Sequence, residues 1–417
     1  MKKLLISLAF VIVFGTACQA ATPATPAMDT NPTSLDRANQ TRIPGTDTPI
    51  APPEPSPMPT RPIPTITSIP PTETAQLSID KRVALIQTYL EDQAALGDFS
   101  GSVLIAEGGI PVFQQAFGLA DRSLDLTNQI DTKFNLGSMD KMFTAVAIMQ
   151  LVERGELSLD EKVGEYLLDY PDLEIAETVT IHHLLTHTSG MGNYFDSPLY
   201  EETHDQIRSL DDYLTLFAGT PLQFPPGGQF GYSNSGYFVL GLIIEAVSGQ
   251  SYYDYVHEHI FDPAGMDDTA SYEYDAGTPN LAVGYTTLDW EGNDNGQITD
   301  NTSMLPLRGG SAGGGYSTAP DLLAFSNALL NYQLLSPDST RLLLEGKVPL
   351  LNNSQYAYGF FDRRVHGQRV VGHGGGFPGI CSILSMYPEL EYTVIVLTNS
   401  DNDCRAVDEF IAETLLK

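Results

Sequence analysis

Phe134-Asn135-Leu136-Gly137-Ser138-Met139-Asp140-Lys141 leads into Met142, Phe143, Val146, Ala147, Met149 and Leu151, an apolar run that continues to about Arg154. A glycine followed by serine is a natural junction between loop and helix, and the apolar residues beyond it recur at helical spacing. The stretch is read as a long, mostly buried helix in the middle of a domain. Ser138 and Lys141 stand three residues apart on its first turn, so hydroxyl and amine share one face. Burial tends to deprotonate such a lysine, and a serine becomes a nucleophile when a base stands beside it.

The same S-x-x-K pattern occurs at Ser78-Ile79-Asp80-Lys81. There a Pro/Thr-rich stretch gives way to the helical pattern Val83, Leu85, Ile86, Tyr89 and Leu90, and Ser78 is read as a plain N-cap. What singles out Ser138 is two further motifs downstream. Tyr232-Ser233-Asn234, the only Tyr-x-Asn in the chain, lies in the Gly/Pro-rich stretch from Pro225 to Tyr237, just before a helical pattern. A tyrosine at such a rim can accept a proton if a nearby cation lowers its pKa, and an asparagine amide can hold a substrate carbonyl. Val370-Val371-Gly372-His373-Gly374-Gly375-Gly376-Phe377 reads as a short strand running into residues with almost no side chain. Glycines there let a substrate backbone lie alongside, and a free N–H can bind a developing oxyanion.

With these three motifs the chain, over about residues 80–417, resembles the serine hydrolases that include class C β-lactamases, D,D-carboxypeptidases, D-aminopeptidases and related esterases. Ser138-Met139-Asp140-Lys141, Tyr232-Ser233-Asn234 and His373-Gly374-Gly375 stand in the family's order and at similar separations. Leu184-Leu185-Thr186-His187-Thr188-Ser189-Gly190 and Ala312-Gly313-Gly314-Gly315-Tyr316-Ser317-Thr318 are similar as well. The resemblance implies acylation of Ser138 by an amide or ester, with Lys141 and Tyr232 sharing the proton. It implies an oxyanion held by the N–H of Ser138 and one near Gly375 or Gly376, with Asn234 and His373 orienting the substrate. Many β-lactamases and penicillin targets carry lysine-threonine-glycine where this chain has His373-Gly374-Gly375. Loss of that permanent cation shifts the expectation toward a D,D-peptidase-like or esterase activity. A β-lactamase proper, or a catalytically silent relative that binds cell-wall fragments, is the alternative.

Two other signals compete. Gly309-Gly310-Ser311-Ala312-Gly313 matches the G-x-S-x-G elbow of a different hydrolase fold, but it follows Leu305-Pro306-Leu307-Arg308 and runs into more glycines, which reads as a loop. His182, His183 and His187 invite a metal reading, yet His183-Leu184-Leu185-Thr186-His187 lacks the glutamate a zinc hydrolase wants, and structural histidines are expected. No metal or cofactor is implied.

The pattern around these motifs sets the fold class. A helix from Ile79 to about Ala95 precedes strands at Ser102–Ala106 and Val112–Phe117, joined at Gly108-Gly109 as a hairpin. Helical patterns then dominate, at Ile181–His187, Leu210–Phe217 and Tyr237–Val247. Strand character returns at Tyr356–Phe361, Arg369–Gly372, Cys381–Tyr387 and Tyr392–Thr398, before a closing helix at Arg405–Leu416. Strands at both ends and helices between them predict an α/β domain over 77–417. One sheet draws on about 79–120 and 356–417, and a mostly helical subdomain is inserted at about 155–307. The family resemblance implies that the sheet is antiparallel and flanked by helices, as in β-lactamases and penicillin-binding proteins. Substrate choice is expected to lie with rim loops such as Gly192–Thr203 and Tyr272–Asp300.

Residues 1–17 read as a signal peptide, with Lys2 and Lys3 before an apolar run too short to span a membrane. Gly15-Thr16-Ala17-Cys18 resembles a bacterial lipoprotein site, which would make Cys18 the lipidated first residue of an extracytoplasmic, membrane-anchored protein. Simple secretion is the alternative. Residues 18–76 are dominated by Pro, Thr, Ala and Ser and read as a disordered tether. With 21 Lys and Arg against 52 Asp and Glu, the net charge of −31 excludes nucleic acid as a partner and leaves a lipid anchor as the only membrane contact. The expected partner is a small-molecule or peptide substrate, which could derive from peptidoglycan. Cys381 and Cys404 flank the last predicted hairpin, and an oxidising compartment would permit a disulfide between them.

Overall fold

Gly101–Glu107 (β1) and Ile110–Phe117 (β2) form the hairpin that Gly108-Gly109 predicts. The computed structural model describes residues 78–416 except 291 and 403; the expected leader, Cys18 and the tether lie outside the described residues. Six strands from the far end of the chain complete the sheet: Val348–Pro349 (β3), Gln355–Tyr356 (β4), Phe361–Val365 (β5), Gln368–Phe377 (β6), Ile380–Tyr387 (β7) and Tyr392–Thr398 (β8). The spatial order is β2-β1-β8-β7-β6-β5-β4-β3, antiparallel throughout, with Val103 opposite Val396 where the two ends of the domain meet.

Alternation along these strands separates two cores, because successive side chains point to opposite faces. Val103, Ile105, Ile383, Val394 and Val396 face one core, shared with Ile86, Leu90, Val407 and Ile411. Leu104, Ala106, Leu384, Ile395 and Leu397 face the other, shared with Met142, Val146 and Phe238. The helices that matter for the site are Ile79–Leu96 (α1), Asp140–Glu153 (α2), Ile181–Leu185 (α3), Asn234–Ser248 (α4) and Cys404–Leu416 (α5). On the first face α1 and α5 clasp each other, with the Tyr89 and Phe410 rings stacked at 3.8 Å and Arg82 Nη1 donating to Leu415 O at 2.6 Å. The second face carries α2, whose residues from Asp140 to Leu151 are all buried. Among the described residues, no helix is long and apolar enough to cross a membrane.

Four expectations are corrected. The strand expected over Tyr356–Phe361 is two strands, β4 and β5, because Ala357 N–H donates to Phe360 O at 2.8 Å in a tight turn. Gly359 in that turn has φ 72°, and a Cβ there would stand 2.6 Å from Lys141 O, so the bend makes room for α2. The strand expected to stop at Gly372 continues as β6 through the glycines to Phe377. The helix expected over Tyr237–Val247 begins earlier, at Asn234, with Ser233 as its N-cap. Within the Tyr272–Asp300 stretch, Tyr285–Leu288 and Asp294–Asp300 pair as a hairpin rather than forming a plain loop. Cys381 and Cys404 are joined by a disulfide, Cα to Cα 5.6 Å, which ties the start of β7 to α5.

Candidate active site

The three motifs meet in two layers. Ser138, Tyr232, Asn234, Gly374, Gly375 and Gly376 keep part of their surface open, whereas Lys141, His187, Tyr356 and His373 lie beneath them, each at most 3% exposed. Ser138 occupies a 3-10 turn, Gly137–Met139, that feeds α2, and the first amides of such an element have no partner within it. That turn is fixed from several sides. Gly137 N–H donates to Asn135 Oδ1 at 2.9 Å, Leu136 N–H to Gly315 O at 2.8 Å, and Ser382 Oγ on β7 donates to Leu136 O at 2.6 Å. The turn also lies against β6, since a Cβ on Gly137 would be 2.8 Å from the amide nitrogen of Gly376.

Lys141 is fully buried, and burial holds its amine well below the ordinary lysine pKa against the pull of neighbouring Asp140. Its Nζ donates to Asn234 Oδ1 at 2.7 Å and to Ala312 O at 2.5 Å. A neutral amine has two N–H bonds, and these two acceptors satisfy both. Its lone pair is left for a proton. Once protonated, the ammonium faces the rings of Tyr232 and Tyr237, with centroids 4.9 and 5.4 Å away, which favour a cation. Asp140 is likewise buried. Burial pushes its carboxyl up to about 7, although Gly315 N–H donates to it at 2.5 Å and Lys141 favours the anion.

Tyr232 hydrogen-bonds with Ser138, a contact that favours the phenolate, but burial outweighs it and raises the phenol above its ordinary value. It is therefore a neutral proton carrier in the resting site. Asn234 is aimed by Asn193, which the motif reading did not single out. Asn193 Oδ1 accepts from Asn234 N–H at 2.8 Å and Nδ2 at 3.0 Å, while its own Nδ2 donates to Tyr232 O at 3.3 Å. The only signal for it was its place in the Gly192–Thr203 rim stretch.

His373 does not face the opening. Its Nδ1 lies 2.6 Å from Gly374 O and its Nε2 3.1 Å from the Tyr356 hydroxyl, so both nitrogens are used inside the protein. Burial, then the Lys141 charge, pushes its pKa down to about 3, and the ring is neutral at pH 7. These contacts tie the ring to β6 and to β4. Tyr356 joins it to His187 Nε2 at 3.1 Å, and His187 Nδ1 accepts from Ser233 N–H at 3.1 Å. His187 is one of the three histidines expected from sequence to be structural and lies in a stretch that the family resemblance marks, whereas Tyr356 has no sequence signal beyond its place in an expected strand.

The competing signals have other partners. His182 Nδ1 lies 2.8 Å from the Tyr358 hydroxyl, and His183 Nδ1 accepts from Thr180 N–H at 3.2 Å as part of the α3 cap. Ser311 is buried beside α4 with no partner for its hydroxyl. Its loop contributes carbonyls instead: Ser311 O accepts from Thr144 Oγ1 at 2.7 Å, and Ala312 O holds Lys141.

Residues 83–415 match the family described as Beta-lactamase. The chain is 31% identical over 329 residues to penicillin-binding protein 4* of Bacillus subtilis, covering 76% of this chain and 72% of that one. A penicillin binding protein from Bacillus halodurans superimposes with a TM-score of 0.71 at 36% identity, covering 79% of this chain and 98% of the other. D-amino acid amidase from Ochrobactrum anthropi, solved with L-phenylalanine amide, superimposes with a TM-score of 0.71 at 25% identity, covering 80% and 99% of the two chains.

Proposed function

The chain belongs to the Beta-lactamase family of serine hydrolases that work through an acyl-enzyme, and from that premise we propose that Ser138 is acylated by neutral amides or esters. The observation that carries this reading is the pair of acceptors on Lys141, which occupies both N–H bonds of a neutral amine and leaves the lone pair free. In acylation the Ser138 proton passes to Lys141 Nζ as the Ser138 Oγ–carbon bond forms. The carbonyl π pair moves to oxygen, where the amides of Ser138 and Gly376 stabilise it. Collapse of that intermediate breaks the bond to the amine or alcohol, which leaves with a proton supplied from Lys141 through Tyr232. Water then releases the acid by the same steps, and Asn234, held by Asn193, orients the acyl chain.

Substrate charge follows from the buried layer. His373 is neutral, so β6 offers no cation to a free carboxylate. Phe195 and Phe377, stacked with ring centroids 5.8 Å apart, provide an apolar wall at the rim. Amides and esters of D-amino acids, peptides among them, fit such a site better than substrates with an anionic end. Relatives named as penicillin-binding proteins favour a second reading, in which penicillins acylate Ser138 and leave slowly. A signal peptide over 1–17 and a lipid anchor at Cys18 belong to the same proposal, supported by the sequence pattern alone.

The test uses the protein and its Ser138→Ala and Ser311→Ala variants, treated with a fluorophosphonate and with a fluorescent penicillin, with adducts weighed intact. Labelling lost in Ser138→Ala alone is the expected result. Labelling lost in Ser311→Ala alone would overturn the site, and no labelling at all would indicate a silent binding protein. A stable penicillin adduct, as opposed to turnover, would favour the second reading.

A further inference from the structure

One set of hydrogen bonds runs beneath the open layer from the second motif to the third. It begins at the amide of Ser233, the residue between Tyr232 and Asn234, and ends at the carbonyl of Gly374, two residues before Gly376. The directions follow from the two ends together, a backbone N–H that can only donate and a carbonyl that can only accept, although the Tyr356 hydroxyl also meets Tyr237. A backbone N–H can only donate, so His187 Nδ1 carries no proton, and the neutral ring carries its proton on Nε2. Nε2–H therefore donates to the Tyr356 oxygen, 3.1 Å away. Tyr356 O–H donates onward to His373 Nε2, also at 3.1 Å, so that His373 holds its proton on Nδ1. The Nδ1–H donates to Gly374 O at 2.6 Å. The last acceptor is a carbonyl, which cannot donate, so the chain is complete at both ends with each ring in one tautomer.

We propose that His187 and Tyr356 are positioning residues that set the register between the proton-carrying Tyr232–Asn234 segment and the oxyanion strand β6, by fixing His373 as its Nδ1–H tautomer. The bond to Gly374 O fixes one peptide plane. In a trans peptide the following N–H points the opposite way, so the strand is oriented just before Gly376. At the other end His187 holds the segment through its ring as well as its nitrogen, lying at 4.1 Å between centroids from Tyr232. His187 adopts φ 55°, a left-handed conformation uncommon for a side-chain-bearing residue, and this conformation is kept where the ring meets Ser233 N–H and Tyr356. Four segments distant in sequence are thereby joined: the Leu184–Gly190 stretch, the Tyr232–Asn234 segment, the β4 strand and β6. The inference rests on the roles given above to Tyr232 and Gly376.

The decisive measurement is long-range 15N–1H correlation of the histidine rings in the whole protein at pH 7, with His187 and His373 assigned by single substitution. The expected spectrum shows His187 as Nε2–H and His373 as Nδ1–H, both neutral. Any other tautomer, or a charged ring, overturns the proposal without recourse to a variant. Tyr356→Phe then removes one hydroxyl and leaves the ring in place. It should put His373 into mixed or Nε2–H tautomers and lower kcat on p-nitrophenyl acetate by about 10-fold or more, with KM within about 2-fold. His187→Asn, whose Oδ1 can still accept from Ser233, should reproduce the kcat loss. A Tyr356→Phe protein that keeps the Nδ1–H tautomer and a kcat within 2-fold of the parent overturns the proposal. Absence of an acyl adduct on Ser138 in the parent would sink the assignment of the nucleophile, while the tautomers would still judge the hydrogen-bond chain.

Discussion

Ser78-Ile79-Asp80-Lys81 and Ser138-Met139-Asp140-Lys141 share serine, aspartate and lysine at the same spacing, and each opens a helix. In the first, Ser78, Asp80 and Lys81 are exposed, and the Ser78 side chain makes no capping bond; only its carbonyl is used, by the amides of Lys81 and Arg82 at 3.0 and 3.1 Å. In the second, Asp140 and Lys141 are buried and each meets a dedicated partner: Gly315 N–H for the acid, and Asn234 Oδ1 and Ala312 O for the base. The partners come from positions far along the chain. The difference teaches that reactivity belongs to the dry surroundings that distant segments build, since burial opposes the charged forms of Asp140 and Lys141.

Exchanging matched residues at the two sites breaks or sharpens that contrast. The largest effect should come from the lysines. Lys141→Met should lower kcat/KM on p-nitrophenyl acetate by about 10²- to 10⁴-fold, whereas Lys81→Met should leave it within about 2-fold. Equal losses would mean that the second site has no privileged base. Asp140 should make stability depend on pH. The folded protein holds Asp140 at about 7 against an ordinary 3.8, so it binds a proton that the unfolded chain has released. Stability from that proton is full below pH 3.8 and lost as pH rises through 7, by up to about 4 kcal/mol. Asp140→Asn keeps an acceptor for Gly315 N–H without the charge, so denaturant titrations should show the parent losing stability relative to it between pH 4 and 7. Because Asp140 and Lys141 influence each other, the same comparison on a Lys141→Met background removes the lysine titration from both proteins. A flat difference would show that Asp140 is solvated. The smallest effect belongs to Ser78→Ala, expected within about 0.5 kcal/mol by thermal unfolding because no side-chain bond is lost.

The sequence carried the elements whose physics is local. The Gly108-Gly109 hairpin, α1, the strands of the last hairpin and the three motifs follow from periodicity, turn residues and resemblance. The turn at Ala357–Phe360 was invisible because its cause is the approach of α2, a contact made through Lys141 O. The continuation of β6 through three glycines was hidden for a related reason: low strand propensity is overridden by pairing with Ile380–Leu384 on β7. At the site, Ser138, Lys141, Tyr232 and Asn234 were nameable as types of chemistry at a given spacing. Asn193, Tyr356 and His187 were not, because their roles depend on which atom meets which across the fold. The family pattern suggested that His373 touches substrate, whereas its ring is spent on Gly374 and Tyr356.

The pairing of β1 with β8 also sets a timetable for synthesis. A ribosome making about 5–20 residues per second needs on the order of 15–60 s to pass from Glu107 to Tyr392. Throughout that interval the β1–β2 hairpin has no partner for the edge that β8 will cover, and Val103, Leu104 and Ile105 have no core to enter. An unpaired apolar edge is a template for association with other chains. Yield of native protein should therefore depend on whatever shields this hairpin while the remaining chain is made, and a stalled or truncated chain that ends before Tyr392 leaves it permanently uncovered.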